Sequence, residues 1–358
     1  MKISVNKNKY FFLQLAIVCF IMAQILILFV MPSKFFNDAE IISNDPYDEI
    51  GFIGGYPFAI LFYKLTLLRY LPYFLIAFVQ IPILYYVLYK LGVSSDFRML
   101  TVENMVMYIG FILIALYVSI PSKEFINFLY IGIITFMFKS KRYSVTKTVL
   151  IAFAMFIVLA IVFRPYYVFI PIISTAMFCF VFIKSRYKTW NMVMASIFVV
   201  VFMSLSYGAL EGEYISATTR ESFNKVREAK EGQTMLVSPI PTDTWYGETF
   251  GIYYGYLSVN LPVNGLKHYM KPQVIAFVIW QLFLFSILLI RFGYCVLHRH
   301  ELKYELWIFI FIFAFFVVQG LFEPDLGSAV RHKFSIFPFI YFAFYYDKFI
   351  KDKQGSNT

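Results

Sequence analysis

The chain has 358 residues, of which 60% are hydrophobic, 21% aromatic and only 15% charged. A soluble domain is about half apolar and about a quarter charged, so this chain has too few polar side chains to coat a water-soluble surface. Composition excludes a soluble enzyme and a disordered chain, and the three cysteines, all in apolar stretches, exclude a disulfide scaffold.

The first predicted element is the apolar run 10–31, which follows a basic N-terminus. It is longer than the roughly 7–15 apolar residues of a cleavable signal peptide, and no small-residue cleavage site follows it. We therefore expect a retained membrane-spanning helix.

Further apolar stretches predict an all-α, polytopic membrane bundle of about ten spans, because a crossing helix needs about 20 apolar residues, or fewer when flanking groups snorkel. The predicted spans after the first are 71–91, 104–120, 125–138, 148–163, 166–183, 193–208, 273–297, 305–322 and 334–346. An eleventh piece, 56–68, is short, opens with Gly-Gly-Tyr-Pro and contains Lys64. It is either a further span, a re-entrant segment or an interfacial helix.

The net charge of +10 is interpreted through the positive-inside rule. If 56–68 does not cross, every strong basic cluster falls on the side of the two termini, and the opposite side carries a small negative balance. If it does cross, those clusters face outward. We therefore expect ten spans with both termini cytoplasmic, and no nucleic-acid partner.

The outer face carries the long segment 209–272, in which 216–230 is predicted to form a short amphipathic helix with Thr218 or Thr219 as its N-cap. No repeat or linker divides the chain, so 1–358 is interpreted as one integral membrane domain. The cytoplasmic loops contain no phosphate-binding motif, which disfavours a kinase or an ATP-driven transporter. Any chemistry is therefore expected on the outer face.

Two turns on this face carry charge next to apolar spans. Glu124 is placed either to cap the helix that begins near residue 125 or to act in a functional site. Lys123 either extends its side chain to the membrane surface or faces an anionic headgroup or diphosphate. Arg164 either reaches the outer headgroups or presents a guanidinium fork to phosphate oxygens.

The segment 323–333 combines charged residues with a proline and a glycine between apolar spans. Irregular polar backbone at membrane depth is tolerated where it lines a cavity, so we expect a functional site here. Glu323 or Asp325 is expected to act as a base or to pair with Arg331, and His332 to position a hydroxyl or donate to an oxyanion. The alternative is a purely structural role, in which an ion pair within the segment closes a helix hairpin.

These features resemble those of bacterial oligosaccharide repeat-unit polymerases, the Wzy and EpsG-like proteins of O-antigen and capsule synthesis. The resemblance lies in the number of spans, the large outer loop, the Ser-Lys-Glu and Arg-Pro turns, and the Glu-Pro-Asp-Leu-Gly-Ser segment followed by Arg-His.

The resemblance implies a glycosyltransferase of the bacterial inner membrane that acts on the periplasmic face. It would join undecaprenyl-diphosphate-linked repeat units, with such lipids as donor and acceptor and without a cofactor or metal. Arg164, Arg331 and Lys123 would hold the diphosphate, and Glu323, Asp325 or His332 would orient or deprotonate the acceptor. Glu124 matches the motif without a defined role. A chain-length regulator and a flippase would be partners.

Other interpretations remain open. Asp38 and Glu40 resemble the acidic pair of many lipid-dependent membrane glycosyltransferases, although two nearby carboxylates are common in an acidic loop. The aromatic residues between Trp245 and Tyr256 form either an interfacial belt, which is favoured, or a sugar-stacking platform. The rival functions are an O-antigen ligase or another polyprenyl-phosphate-dependent glycosyltransferase, and a flippase for lipid-linked oligosaccharides.

Overall fold

The computed structural model describes residues 7–183, 186–222, 224 and 234–355. Within these ranges the regular structure is helical, apart from one isolated bridge between Met235 and Asp325. The α-helices are α1 (Lys7–Phe29), α2 (Asn37–Asn44), α3 (Gly55–Leu65), α4 (Tyr73–Leu91), α5 (Val102–Tyr117), α6 (Lys123–Ser140), α7 (Val145–Val162), α8 (Phe169–Phe180), α9 (Lys188–Glu211), α10 (Trp245–Asn260), α11 (Pro272–Leu297), α12 (Lys303–Phe322), α13 (Leu326–Ser335) and α14 (Phe337–Gly355).

Each predicted span coincides with a helix. Among the described residues, six helices are long and apolar enough to cross a membrane: α1, α4, α7, α9, α11 and α12. The remaining predicted spans correspond to α5, α6, α8 and α14, so the count of ten stays a prediction.

The surface of these helices explains why the chain belongs in a bilayer. Apolar side chains on α1 lie open on successive turns, among them Ile17, Ile21 and Leu28, each more than half exposed. Leu150 on α7 and Ile290 on α11 are exposed in the same way. Contiguous apolar surface of this kind is unfavourable in water and matches lipid. The helices therefore indicate a multi-pass membrane protein.

The described chain forms two compact units. Unit 1 comprises residues up to Pro165 together with those from Arg331 onward, and unit 2 comprises Tyr166–Val330. In unit 1, α1 packs on α4 and α5, while α14 packs on α4 and α6. The short helices α2 and α3 pack on each other.

One end of unit 1 is rich in lysine, and we call it the basic end. Asn8 near the start of α1 donates to the Ser95 carbonyl at 2.5 Å, and Lys348 of α14 pairs with Asp96 at 2.5 Å. Lys139 at the end of α6 donates to the carbonyl of Lys90 at the end of α4 (2.8 Å). The first and last described helices therefore meet at this end.

The helix α3 begins and ends near α2. Tyr56 at its start donates to Asp38 at 2.7 Å, and Arg69, just beyond its end, donates to the Ser43 carbonyl at 2.6 Å. Eleven residues rise only about 16 Å, roughly half of a hydrocarbon core. The segment 56–68 therefore turns back to the end of unit 1 from which it starts.

In unit 2, α12 is almost completely buried and packs on α8, α10 and α11. The contact between α10 and α12 depends on small residues, because a Cβ atom added at Gly255 would lie 2.1 Å from the carbonyl oxygen of Gly320. The segment 245–256, whose aromatic residues were predicted to form an interfacial belt or a sugar-stacking platform, is thus the first part of a packed helix.

The N-cap predicted for the segment 216–230 is wrong. Helical structure begins at Ile215, and the hydroxyl of Thr218 donates to the Ile215 carbonyl at 3.1 Å from inside the helix. A π-helical turn covers Ala217–Glu221. Residues 223 and 225–230 of the predicted helix lie outside the described residues.

Candidate functional site

The start of α6 places two charged side chains at the end of unit 1 opposite the basic end. Ser122 caps the helix, because its hydroxyl accepts from the backbone N–H of Phe125 at 3.3 Å. Tyr63 holds this cap in place by accepting the Ser122 N–H at 3.0 Å. The capping role considered for Glu124 is therefore wrong, and its carboxylate is available for other contacts.

Glu124 is the anionic centre of the site. Its side chain is fully buried, and its Oε1 accepts from Arg164 Nη2 at 2.7 Å. His332 Nε2 lies 3.3 Å from the same oxygen. Burial opposes ionisation, but Arg331, Arg164 and His332 lower the pKa of Glu124 well below its ordinary value. Glu124 is therefore a fixed negative charge rather than a base that titrates near neutral pH.

A second carboxylate, Asp38, holds the other side of the site. Arg331 Nη1 lies 2.7 Å from Asp38 Oδ2, and the Tyr56 hydroxyl donates to Asp38 Oδ1 at 2.7 Å. The Lys123 ammonium lies 3.5 Å from the centroid of the Tyr56 ring, a cation–π contact. Tyr56 thereby connects a carboxylate with a cation.

These contacts define the ion cluster, a set of side chains from five segments of unit 1 that are far apart in sequence. Its members are Asp38, Tyr56, Lys123, Glu124, Arg164, Arg331 and His332. The three cations Lys123, Arg164 and Arg331 face two carboxylates, which leaves a positive excess at neutral pH even when His332 is neutral. The cluster thus has the charge of an anion-binding site.

Burial and neighbouring charges shift the pKa values of Lys123 and Asp38, and a different one of the two effects prevails at each residue. Burial removes hydration from Lys123 and lowers its pKa to about 8, although Asp38 and Glu124 oppose this shift. For Asp38, burial acts against the charge, but Arg331 and Lys123 outweigh it and lower the pKa of the carboxyl. At neutral pH the two carboxylates are therefore ionised, and Lys123 is closer to losing its charge than Arg331 is.

The buried polar atoms of the cluster include some that have no hydrogen-bond partner among the described residues. Glu124 Oε2 and Arg331 Nε are both buried and have no hydrogen-bond partner among the described residues. A buried acceptor or donor without a partner costs about 1–3 kcal/mol. One unpaired acceptor and one unpaired donor at the same site are suited to a ligand that carries both hydroxyl groups and anionic oxygens.

Close backbone packing brings α3 to the arginine turn. Gly54 N donates to the Val162 carbonyl at 2.9 Å, and a Cβ atom added at Gly55 would lie 3.3 Å from the Phe163 carbonyl oxygen. Arg164 itself is buried, with 6% of its surface exposed. The interpretation of Arg164 as an arginine that reaches the headgroups is therefore wrong, because the side chain points into the ion cluster.

Three predicted site residues lie outside the ion cluster. Glu40 is exposed on α2, directly after the buried Ala39. Asp325 caps α13, since its Oδ1 accepts the Ser328 N–H at 2.8 Å, and Glu323 accepts from Gln319 at 3.4 Å; both belong to unit 2. The predicted pairing of Arg331 with one of these acids is replaced by the contact with Asp38.

Sequence reasoning missed Tyr56 and a buried polar group in unit 2. Arg220, 1% exposed, donates to the carbonyls of Gly251 and Gly320 at 3.1 and 3.3 Å. Glu248, also buried, accepts from the hydroxyl of Ser204. Gly251 and Gly255, one helical turn apart, lie on the face of α10 that contacts this arginine, because added Cβ atoms would lie 3.2 and 2.2 Å from its guanidinium nitrogens. For Tyr56 the available signal was the Gly-Gly-Tyr-Pro turn.

Comparisons of the chain with protein-family models, with curated proteins and with solved structures give no match. The class therefore rests on the helices and the ion cluster: an all-helical, multi-pass membrane protein with a buried, net-positive site at one end of unit 1. The resemblance to repeat-unit polymerases stays a prediction.

Proposed function

We propose that the protein is a glycosyltransferase that polymerises undecaprenyl-diphosphate-linked oligosaccharide repeat units. The observation that carries this proposal is the convergence of Lys123, Arg164 and Arg331 on two carboxylates at one end of unit 1. A departing lipid diphosphate develops negative charge, and cations held in advance at that position stabilise it. The carboxylates keep the guanidinium groups in place before the substrate arrives.

The proposed reaction exchanges a glycosyl–phosphate bond for a glycosidic bond. The bond between the anomeric carbon of the donor glycan and the diphosphate oxygen breaks, and the bonding electrons leave with the lipid diphosphate. A hydroxyl oxygen of the acceptor repeat unit bonds to that carbon, and its proton passes to a base. No nucleotide is consumed, because the lipid diphosphate already activates the donor.

His332 is the base that the geometry favours. Its Nε2 lies 3.3 Å from Glu124 Oε1, and a buried carboxylate beside an imidazole orients the ring and stabilises the imidazolium that forms. Asp325 and Glu323 remain candidates from the sequence. The role we assign to Glu124 is to position His332 and Arg164.

The proposal includes ten spans in the bacterial inner membrane, with cytoplasmic termini and a periplasmic site. Two features of unit 1 support this orientation: the first and last described helices meet at the basic end, and the ion cluster lies where α6 begins, one helix length away. A flippase that delivers repeat units and a chain-length regulator are the partners this function requires.

The test is glycan length in cells that lack the protein and are complemented with variants. We expect cells without the protein to carry single repeat units, and Arg331→Ala and Arg164→Ala to behave in the same way at normal expression. Arg69→Ala, which removes a cation paired outside the ion cluster (3.9 Å from Asp45), is the matched control and should give long chains.

Each rival function predicts a different outcome. A ligase defect leaves long glycans on the carrier lipid, and a flippase defect leaves repeat units in the cytoplasmic leaflet. Either result, or normal chain length in both arginine variants, would overturn the proposal.

A further inference from the structure

A groove runs along the membrane-facing surface of unit 1, away from the ion cluster. It lies between α1 and α4, has a volume of about 710 Å³ and is lined almost entirely by apolar side chains. Ala16 of α1 and Pro82 of α4 line its middle, and Lys90 lies at one end. The groove does not depend on the proposed function.

The shape of the groove follows from α4. Pro82 sits in the interior of this helix, where it has no N–H to donate to the preceding turn. Ala16 opposite has only a methyl group, so the two helices leave space between them. Phe20 and Phe78 close the far end with an edge-to-face contact at 4.7 Å.

The length of the groove matches one leaflet. From Phe78 to Lys90 the helix rises about 18 Å, and half of a hydrocarbon core is about 15 Å thick. The groove therefore extends from the basic end to about the middle of the bilayer, which is the space that one acyl chain occupies.

The open end of the groove carries positive charge. The Lys90 ammonium lies 5.3 Å from the centroid of the Tyr86 ring and is exposed, and no carboxylate lies within 4.0 Å of it among the described residues. The Lys139 ammonium donates to the backbone carbonyl of Lys90. The Asp96 carboxylate forms an ion pair with Lys348. A negatively charged headgroup is the complement of this surface, since basic pockets between membrane helices bind anionic lipids.

We propose that this groove is a binding site for an anionic diacyl phospholipid of the leaflet at the basic end, with one acyl chain between α1 and α4 and the phosphate at Lys90. The bound lipid fills the space between Pro82 and Ala16 and supports the helices of unit 1.

The test is lipid retention by the purified full-length protein, measured by native mass spectrometry with equal amounts of dioleoyl phosphatidylglycerol and dioleoyl phosphatidylcholine. We expect phosphatidylglycerol to be retained about fivefold better, the effect of about one lysine at a membrane surface. Lys90→Gln should abolish the preference, and Ala16→Trp should lower retention of both lipids by filling the groove.

Matched controls lie on α7, outside the groove: Lys147→Gln is a lysine near the basic end, and Leu150→Trp is an exposed apolar position. Both should retain lipids as the unaltered chain does. Lys90→Gln changes only an exposed side chain, so it decides the proposal even if Ala16→Trp does not fold. Equal retention of the two lipids, or a preference that survives Lys90→Gln, would overturn the assignment.

Discussion

Arg331 Nη1 lies 2.7 Å from Asp38 Oδ2. This ion pair connects the C-terminal segment of unit 1, which begins at Arg331, with the short helix α2. Asp38 also accepts from Tyr56, whose ring lies under Lys123. The position of each cation in the ion cluster thus depends on a carboxylate or an aromatic ring from a distant segment. This dependence has consequences that can be measured.

Removal of the Glu124 charge should destabilise the protein strongly. Glu124→Gln leaves Arg164 buried without its carboxylate, and breaking a buried ion pair in this way costs about 3–5 kcal/mol. The measurement is thermal unfolding of the protein in lipid nanodiscs. Glu103→Gln is the matched control: it removes a half-exposed carboxylate 3.5 Å from Lys348, at an expected cost of about 0–1 kcal/mol.

The double variant Glu124→Gln with Arg164→Met separates charge from packing. Because it removes both buried charges, it should be more stable than Glu124→Gln alone. If the single variant unfolds at the wild-type temperature, the buried pair has no such energetic role.

The affinity for a diphosphate should fall as the pH rises through about 8, where Lys123 loses its positive charge. One proton limits the effect to about tenfold per pH unit. Binding of undecaprenyl diphosphate, measured from pH 6.5 to 9.5, checks this. Lys123→Arg should keep its affinity over this range, because guanidinium stays charged. A wild-type profile that is flat across pH 8 would contradict a role for Lys123 in binding.

The same lowered pKa has a defined effect on folding. Between about pH 8 and 10.5 the unfolded chain holds more protons on Lys123 than the folded chain does. The contribution of Lys123 to the free energy of unfolding therefore increases as the pH rises through that window. Its contribution to anion binding declines over the same range.

Gly255→Ala should destabilise unit 2. The added Cβ atom would lie 2.1 Å from the Gly320 carbonyl oxygen and 2.2 Å from Arg220 Nη1, and overpacking of this kind costs about 1–3 kcal/mol or more. Gly293→Ala is the control, because its Cβ atom would meet Thr189 Oγ1 at 3.4 Å and alanine favours the helix. Equal unfolding temperatures of the two variants would show that α10 and α12 do not pack this closely.

The proposed orientation can be tested by labelling introduced cysteines in a chain without its own three. A cysteine at Ser140, near the basic end, should be protected from impermeant thiol reagents in intact cells. A cysteine at the exposed position Asp48 should react. The opposite pattern would place the ion cluster on the cytoplasmic side, where no lipid-linked repeat unit is polymerised, and would remove the basis of the proposed function.

The amino-acid sequence by itself determined the helical segments and the sorting of charge, because both depend on local composition. A run of about 20 apolar residues forms a helix in lipid, where every backbone group must be paired internally. The turns that carry Lys123, Arg164 and Arg331 could be identified in the same way, since charges are rare beside apolar spans. The assignment of 56–68 stayed open because that run is too short to decide.

Only the tertiary structure decided which of these charges meet. On sequence grounds Glu124 could cap α6 or act in a site. In the structure Ser122 caps α6, and Glu124 pairs with Arg164. Arg331 binds Asp38, whereas the sequence analysis expected an acid from its own segment. Tyr56 became a member of the ion cluster because α3 turns back on α2. Ion pairs and cation–π contacts depend on distances of a few ångströms between segments far apart in the chain, and such distances are set by helix packing rather than by local composition.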